Sequence, residues 1–276
     1  MLEKYDIFSC ISDKRCIRLY KEWNITIKSL TGNEPRKAYV YVPDSCMADD
    51  SRRCPVLYMF DGQNLFRDCD ASYGKSWGIL DYLTEHNVPL IVAALECNHH
   101  AEDETCGGRL SEYSPFDFID PEYGSIKGRG KLTMDYIVTR FKPYIDKHFP
   151  TLPDRENTFI AGSSMGGIMT VYALLSYNGF FSRGAALSPS FAFSPAQFKK
   201  LIRESSVKDT VLYMDNGSLE MTSGQAKRLY GEMTSLLIRK GLYVESRVVP
   251  GGIHSESSWE QQIPFFLNTI FYHLGD

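Results

Sequence analysis

The stretch Thr158-Phe159-Ile160-Ala161-Gly162-Ser163-Ser164-Met165-Gly166-Gly167 decides the fold. It begins with an apolar run that is typical of a buried strand. It continues into Ile168-Met169-Thr170-Val171-Tyr172-Ala173-Leu174-Leu175, which has the composition of a helix. Between them lies a G-x-S-x-G turn centred on Ser164. Strand, sharp turn and helix in this order predict a nucleophile elbow, in which the central residue is held in a strained backbone conformation.

The elbow would present the Ser164 hydroxyl above the N-terminus of the following helix. Glycines at positions 162 and 166 leave room for the tight approach of strand and helix. A helix N-terminus carries unpaired N–H groups and partial positive charge, which stabilise a developing oxyanion. Ser164 is therefore the candidate nucleophile.

The sequence on both sides of the elbow predicts a layered α/β sheet. Residues 16–28 and 36–42 alternate between apolar and polar side chains, which predicts an antiparallel pair at a sheet edge. Six further runs read as strands, several of them continuously apolar and so suited to a parallel sheet covered on both faces. These runs are 55–60, 90–95, 158–161, 183–189, 210–214 and 243–249. Helical patterns occur between most of them, including one over residues 131–147, and a closing helix is predicted over 259–272. We therefore expect one eight-stranded, mostly parallel sheet flanked by helices, in a single domain over residues 1–276.

Residues 97–130 form the longest stretch without a clear period, and they are polar and rich in glycine and proline. A loop of this length in a compact domain is usually functional, so we expect it on the substrate side. Its Cys97, His99, His100 and Cys106 match no metal site by spacing, and we predict no metal there.

A serine nucleophile needs a base, and the base needs an acid to hold it. His254 follows the last predicted strand on a Gly-Gly loop, in the order serine, acid, histidine. The acid should follow the strand that ends at Met214, where Asp215 and Glu220 both qualify. Position in the sequence leaves these two open.

An oxyanion hole needs two backbone N–H groups that point at the reacting oxygen. One should belong to Met165, directly after the nucleophile, and the other to the loop after the third strand. In that loop Gln63 is the best candidate, because Gly62 lets its backbone approach closely.

Composition limits the class of partner and the compartment. A formal net charge of −4 over 276 residues gives no reason to expect nucleic acid or an anionic membrane. The N-terminal residues lack the pattern of a secretory signal, and no apolar run is long enough to span a bilayer. The seven scattered cysteines lack C-x-x-C spacing, so zinc ribbons and redox pairs are not expected. Scattered thiols without a secretory signal predict a cytoplasmic location.

Five segments together resemble the putative esterase family of α/β-hydrolases. They are Tyr58–Phe66 with its DGQN motif, Arg109–Pro115, Ala161–Gly167, Asp215–Glu220 and Gly252–Ser255, and Trp77 falls in order among them. The family includes siderophore and feruloyl esterases, S-formylglutathione hydrolase and mycolyltransferases. The likeness extends from about residue 36 onward.

The resemblance implies a serine carboxylesterase that acts on a small-molecule ester without a metal or organic cofactor. Matching the family's Asp-x-Gly-x-x-Glu pattern implies Glu220 as the triad acid, with Asp215 in reserve. It also implies that Arg109, Tyr113 and Trp77 bind substrate, although a structural ion pair would equally explain Arg109. Two alternatives stay open: an acyltransferase that uses the same acyl-enzyme, and an inactive binding protein on this fold.

Overall fold

The computed structural model describes residues 19–47, 49, 51–100 and 108–272. Its strands are β1 (Leu19–Thr26), β2 (Pro35–Val42), β3 (Val56–Met59), β4 (Ile91–Leu95), β5 (Phe118–Asp120), β6 (Gly124–Ile126), β7 (Thr158–Ser163), β8 (Arg183–Leu187), β9 (Val211–Gly217) and β10 (Tyr243–Val249). Its helices are α1 (Lys28–Thr31), α2 (Ile79–Glu85), α3 (Arg109–Glu112), α4 (Gly130–Tyr136), α5 (Lys142–His148), α6 (Met165–Ser176), α7 (Pro195–Glu204), α8 (Gly224–Lys240), α9 (Glu256–Glu260) and α10 (Ile263–Ile270).

The main sheet has eight strands in the order β1-β2-β4-β3-β7-β8-β9-β10. β1 and β2 pair antiparallel at one edge, β2 is antiparallel to β4, and the six strands from β4 to β10 are parallel. The predicted eight-stranded, mostly parallel sheet is therefore confirmed. Parallel strands carry their carboxyl ends to one edge, which brings the loops after β3, β7, β9 and β10 together.

Helices cover both faces of this sheet because the central strands are apolar on both sides. In β3, Val56 and Tyr58 belong to the core beneath α6 and α7, whereas Leu57 and Met59 belong to the core beneath α2 and α10. This alternation follows from the two-residue period of a strand, and it explains the unbroken apolar run in the sequence.

Three predicted elements differ from the structure. The stretch 97–130 is not a plain loop in its described part, because it contains α3 and the antiparallel hairpin β5–β6. The predicted helix 131–147 is continuous but passes through a π-helical turn at Ile137–Phe141, which relieves the clash of Pro143 with the preceding turn. The closing helix 259–272 is instead two helices, α9 and α10, and Pro264 lies in the first turn of the second.

The cysteines also depart from expectation. Cys46 and Cys54 form a disulfide with a Cα–Cα distance of 5.9 Å, because the turn after β2 returns the chain alongside its own approach to β3. The prediction of scattered thiols is wrong for this pair, and one basis for the predicted cytoplasmic location is lost. Cys69 and Cys97 are free, whereas Cys10, Cys16 and Cys106 lie outside the described residues. In the described part of the chain no helix has the length and apolarity needed to cross a bilayer.

Candidate active site

The turn between β7 and α6 has the geometry that its glycines predict. Ser164 has φ 58° and ψ −119°, a strained conformation for a residue with a side chain. A Cβ on Gly162 would lie 2.8 Å from the carbonyl carbon of Gly166, and a Cβ on Gly166 would lie 3.0 Å from Cβ of Phe60. The close packing of strand against helix therefore requires glycine at both positions.

Ser164 and His254 line the same cavity, which has a volume of about 250 Å³. The Ser164 hydroxyl is not hydrogen-bonded to His254. Its Oγ lies 3.2 Å from Oγ of Ser190 instead. The side chain of His254 is 46% exposed, and its ring packs edge-to-face on Trp259, with 5.1 Å between the ring centroids. The structure thus brings the predicted nucleophile and the predicted base to the same cavity.

Glu220 contacts the predicted base directly. Its Oε2 lies 2.6 Å from Nδ1 of His254. Burial raises the pKa of Glu220, but the hydrogen bonds from His254, Ser188 and Gly217 outweigh burial and hold that pKa below its ordinary value. Glu220 therefore stays ionised and can orient the imidazole.

The other carboxylate oxygen of Glu220 is held by a chain of donors. Ser188 Oγ donates to Oε1 at 2.7 Å, the Gly217 N–H donates to the same atom at 2.8 Å, and Trp259 Nε1 donates to Ser188 Oγ at 3.0 Å. Sequence reasoning missed Ser188 and Trp259. Ser188 follows β8 at the same sheet edge as the other candidates, and that position was the available signal.

Asp215, the reserve candidate for the acid, is bonded elsewhere. Its carboxylate accepts hydrogen bonds from the Tyr213 hydroxyl at 2.9 Å and from the Ser188 N–H at 3.2 Å. It is 1% exposed, and burial raises its pKa to about 7. The geometry favours Glu220 over Asp215 as the partner of His254.

The two residues predicted to supply the oxyanion donors lie at the start of a helix and in a short turn. Met165 is the first residue of α6, where the N–H has no acceptor within the helix. Gln63 lies in a 3₁₀ turn at Gly62–Asn64 and lines the cavity. Its side chain is fixed on Cys97, since Oε1 accepts from the Cys97 N–H at 3.2 Å and Nε2 donates to Sγ at 3.2 Å.

The three predicted substrate residues occupy different depths. Arg109 lines the cavity and also makes a two-pronged ion pair with Asp61, at 2.6 and 2.7 Å, so the structural ion pair is present and the substrate role stays a prediction. Tyr113 is buried behind it, beneath the guanidinium, and its hydroxyl accepts from the Asp61 N–H. Trp77 is buried against Trp259 and supports the cavity wall from behind.

The remaining cavity lining is mostly polar. It includes Asn64, Ser72, Tyr73, His99 and Glu256. In the described residues, no group of three or more His, Cys, Asp or Glu side chains is arranged to hold a metal ion. His99 instead pairs with Glu96 at 3.2 Å.

Comparison with known proteins extends the sequence resemblance. A family model described as "Putative esterase" matches residues 29–268. The uncharacterized protein YbbA of Bacillus subtilis (strain 168) is 24% identical over 193 residues, which are 67% of this chain and 69% of YbbA.

Solved structures match at the level of the fold. An IroE-like serine hydrolase from Shewanella oneidensis matches with a TM-score of 0.69 and 19% identity, over 91% of this chain and 79% of that one. The siderophore hydrolase EstA from Aspergillus nidulans matches with a TM-score of 0.67 and 20% identity, over 96% and 99% of the two chains. The predicted α/β-hydrolase fold is confirmed.

Proposed function

The chain belongs to the putative esterase family and acts on ester bonds, and from this premise we propose that it is a serine carboxylesterase with a Ser164–His254–Glu220 triad. Its substrate is a small-molecule ester. The observation that carries the proposal is the 2.6 Å contact of Glu220 with Nδ1 of His254, on a ring that faces the same cavity as Ser164.

The first half of the reaction forms an acyl-enzyme. Ser164 Oγ turns from Ser190, gives its proton to Nε2 of His254 and attacks the carbonyl carbon of the ester. The carbonyl oxygen becomes an oxyanion that accepts hydrogen bonds from the Met165 and Gln63 N–H groups. The intermediate then collapses, and His254 returns the proton to the alcohol as the ester C–O bond breaks.

The second half releases the acid. His254 takes a proton from water, whose oxygen attacks the acyl carbonyl, and the same two N–H groups stabilise the second oxyanion. Collapse breaks the bond to Ser164 and returns the proton to its Oγ. Through both halves Glu220 holds Nδ1 protonated, which leaves Nε2 free to accept. None of these steps calls for a cofactor.

The test is the change Ser164→Ala, assayed on p-nitrophenyl butyrate, with circular dichroism to check folding. We expect the hydrolysis rate to fall by about 10⁴-fold or more while the fold is retained. Ser190→Ala is the matched control, because it removes the hydroxyl that lies 3.2 Å from Oγ of Ser164, and it should keep more than about a tenth of the rate. Activity that survives in folded Ser164→Ala protein would exclude this serine as the nucleophile.

A further inference from the structure

Glu256 is a buried carboxylate in the cavity that the triad does not use. It is the first residue of α9, two positions after His254, and its side chain lines the same cavity as His254 and Ser164. Its residue exposure is only 6%. Carboxylates are seldom buried to this extent without a compensating partner.

The other carboxylates around the cavity have such partners. Asp61 is paired with Arg109, Glu96 with His99, and Glu220 with His254. Glu256, in contrast, makes no ion pair with any described residue. Its side-chain partner is the neutral amide of Asn64, which donates to Oε1 at 3.2 Å.

A carboxylate offers about four acceptor positions on its two oxygens. The Asn64 amide and the N–H of Glu256 itself use part of this capacity. Burial raises the pKa of Glu256, which reflects the cost of holding the charge without a cation. Because Glu256 lines the cavity, a substrate there can supply a donor for the remaining acceptor capacity.

We propose that Glu256 binds a hydroxyl or ammonium group on the alcohol portion of the substrate, so that the preferred esters are those of diols, polyols or amino alcohols. The inference rests on the proposed function. The alcohol side follows from position, because Glu256 begins α9 two residues after His254 and lines the same cavity, and His254 is the group that must reach the departing alcohol oxygen.

The competing explanation is purely structural. Through Asn64, Glu256 joins the turn that carries Gln63 to the loop that carries His254. A loss of this bridge would slow hydrolysis of all esters alike. Substrate binding, in contrast, would change the preference between two esters that differ in a single donor.

The test compares kcat/KM for 2-hydroxyethyl butyrate and n-propyl butyrate, which have nearly the same shape, by titration of the released acid. A hydrogen bond to a charged acceptor should give the wild-type protein a preference of about tenfold or more for the hydroxylated ester. Glu256→Met should bring the ratio near one, and Glu256→Gln, which keeps an acceptor for Asn64, should lower it as well. Glu260→Gln, on the same helix and paired with Lys75, is the matched control and should keep the wild-type ratio.

A second pair, ethyl 3-hydroxybutyrate and ethyl 3-methylbutyrate, places the donor on the acyl side and should show no preference that depends on Glu256. The proposal is overturned if the wild-type protein does not prefer the hydroxyethyl ester. It is also overturned if Glu256→Met keeps that preference, or if the dependence appears with the acyl pair. Failure of the esterase assignment is distinct, because the wild-type protein would then hydrolyse neither member of either pair.

Discussion

Replacing Glu220 with glutamine tests the assignment of the acid with almost no change in shape. The carbonyl oxygen of the new amide can still accept from the Ser188 hydroxyl and the Gly217 N–H, which hold Oε1 at 2.7 and 2.8 Å. The amide NH₂ then faces Nδ1 of His254, where Oε2 now lies at 2.6 Å.

Two donors cannot share that contact. The imidazole must therefore place its proton on Nε2, which is the atom that has to accept the proton of Ser164. Carboxylate-to-amide changes of this kind in serine hydrolases lower kcat by about 10⁴-fold, and we expect a fall of about 10³- to 10⁴-fold here, with little change in KM.

Asp215→Asn is the matched control. Asp215 accepts from Tyr213 and from the Ser188 N–H, and an asparagine can keep an acceptor toward that N–H while the tyrosine hydroxyl rotates to accept. Its kcat on p-nitrophenyl butyrate should stay within about threefold of wild type. If Glu220→Gln stayed within threefold while Asp215→Asn lost activity, Asp215 would be the acid and the reasoning from the observed contact would be refuted.

Three further predictions concern stability. The folded-state pKa of Asp215 is raised to about 7. The contribution of this residue to the free energy of unfolding should therefore fall as pH rises from about 4 to 7, by up to about 4 kcal/mol. Asp215→Asn should remove this pH-dependent contribution, which urea unfolding at pH 5 and pH 8 would measure. Ser188→Ala leaves the buried Trp259 Nε1 without its acceptor and should lower the free energy of unfolding by about 1–3 kcal/mol; an unchanged urea midpoint would contradict this. Gly162→Ala should destabilise by about 1–3 kcal/mol because its Cβ meets backbone at 2.8 Å, whereas Gly231→Ala, in an open position on α8, should stabilise by about 0.5–1 kcal/mol; calorimetry that gives both the same sign would refute the packing argument.

The sequence pattern was sufficient for the main sheet because its inner strands carry apolar runs, such as Val56–Met59 and Ile91–Leu95. The last strand was predicted at 243–249 and is found at Tyr243–Val249, and Gly241 ends α8 in the left-handed conformation that a helix stop requires. The hairpin β5–β6 was missed because three-residue strands are too short to show a period. The Cys46–Cys54 pair was missed because it depends on the path between β2 and β3.

The site was predictable wherever a residue is defined by its distance from a strand end, as Ser164 and His254 are. Which of Asp215 and Glu220 turns toward His254 depends on how the loop after β9 folds back on Gly252. Position along the chain left the two open, and only the family's Asp-x-Gly-x-x-Glu pattern implied Glu220. The sequence also does not show how far each side chain lies from the cavity. Arg109 and Tyr113 are one helical turn apart, so the arginine covers the tyrosine and lines the cavity in its place.

The central claim is that one serine is activated by one histidine, and covalent labelling tests it most directly. The protein is treated with a fluorophosphonate, the adduct is located by mass spectrometry, and the labelling rate is compared with that of His254→Ala. We expect a single adduct on Ser164 and a labelling rate about 10³-fold lower or more in the variant. An adduct on another residue, or labelling of His254→Ala at the wild-type rate, would contradict the account.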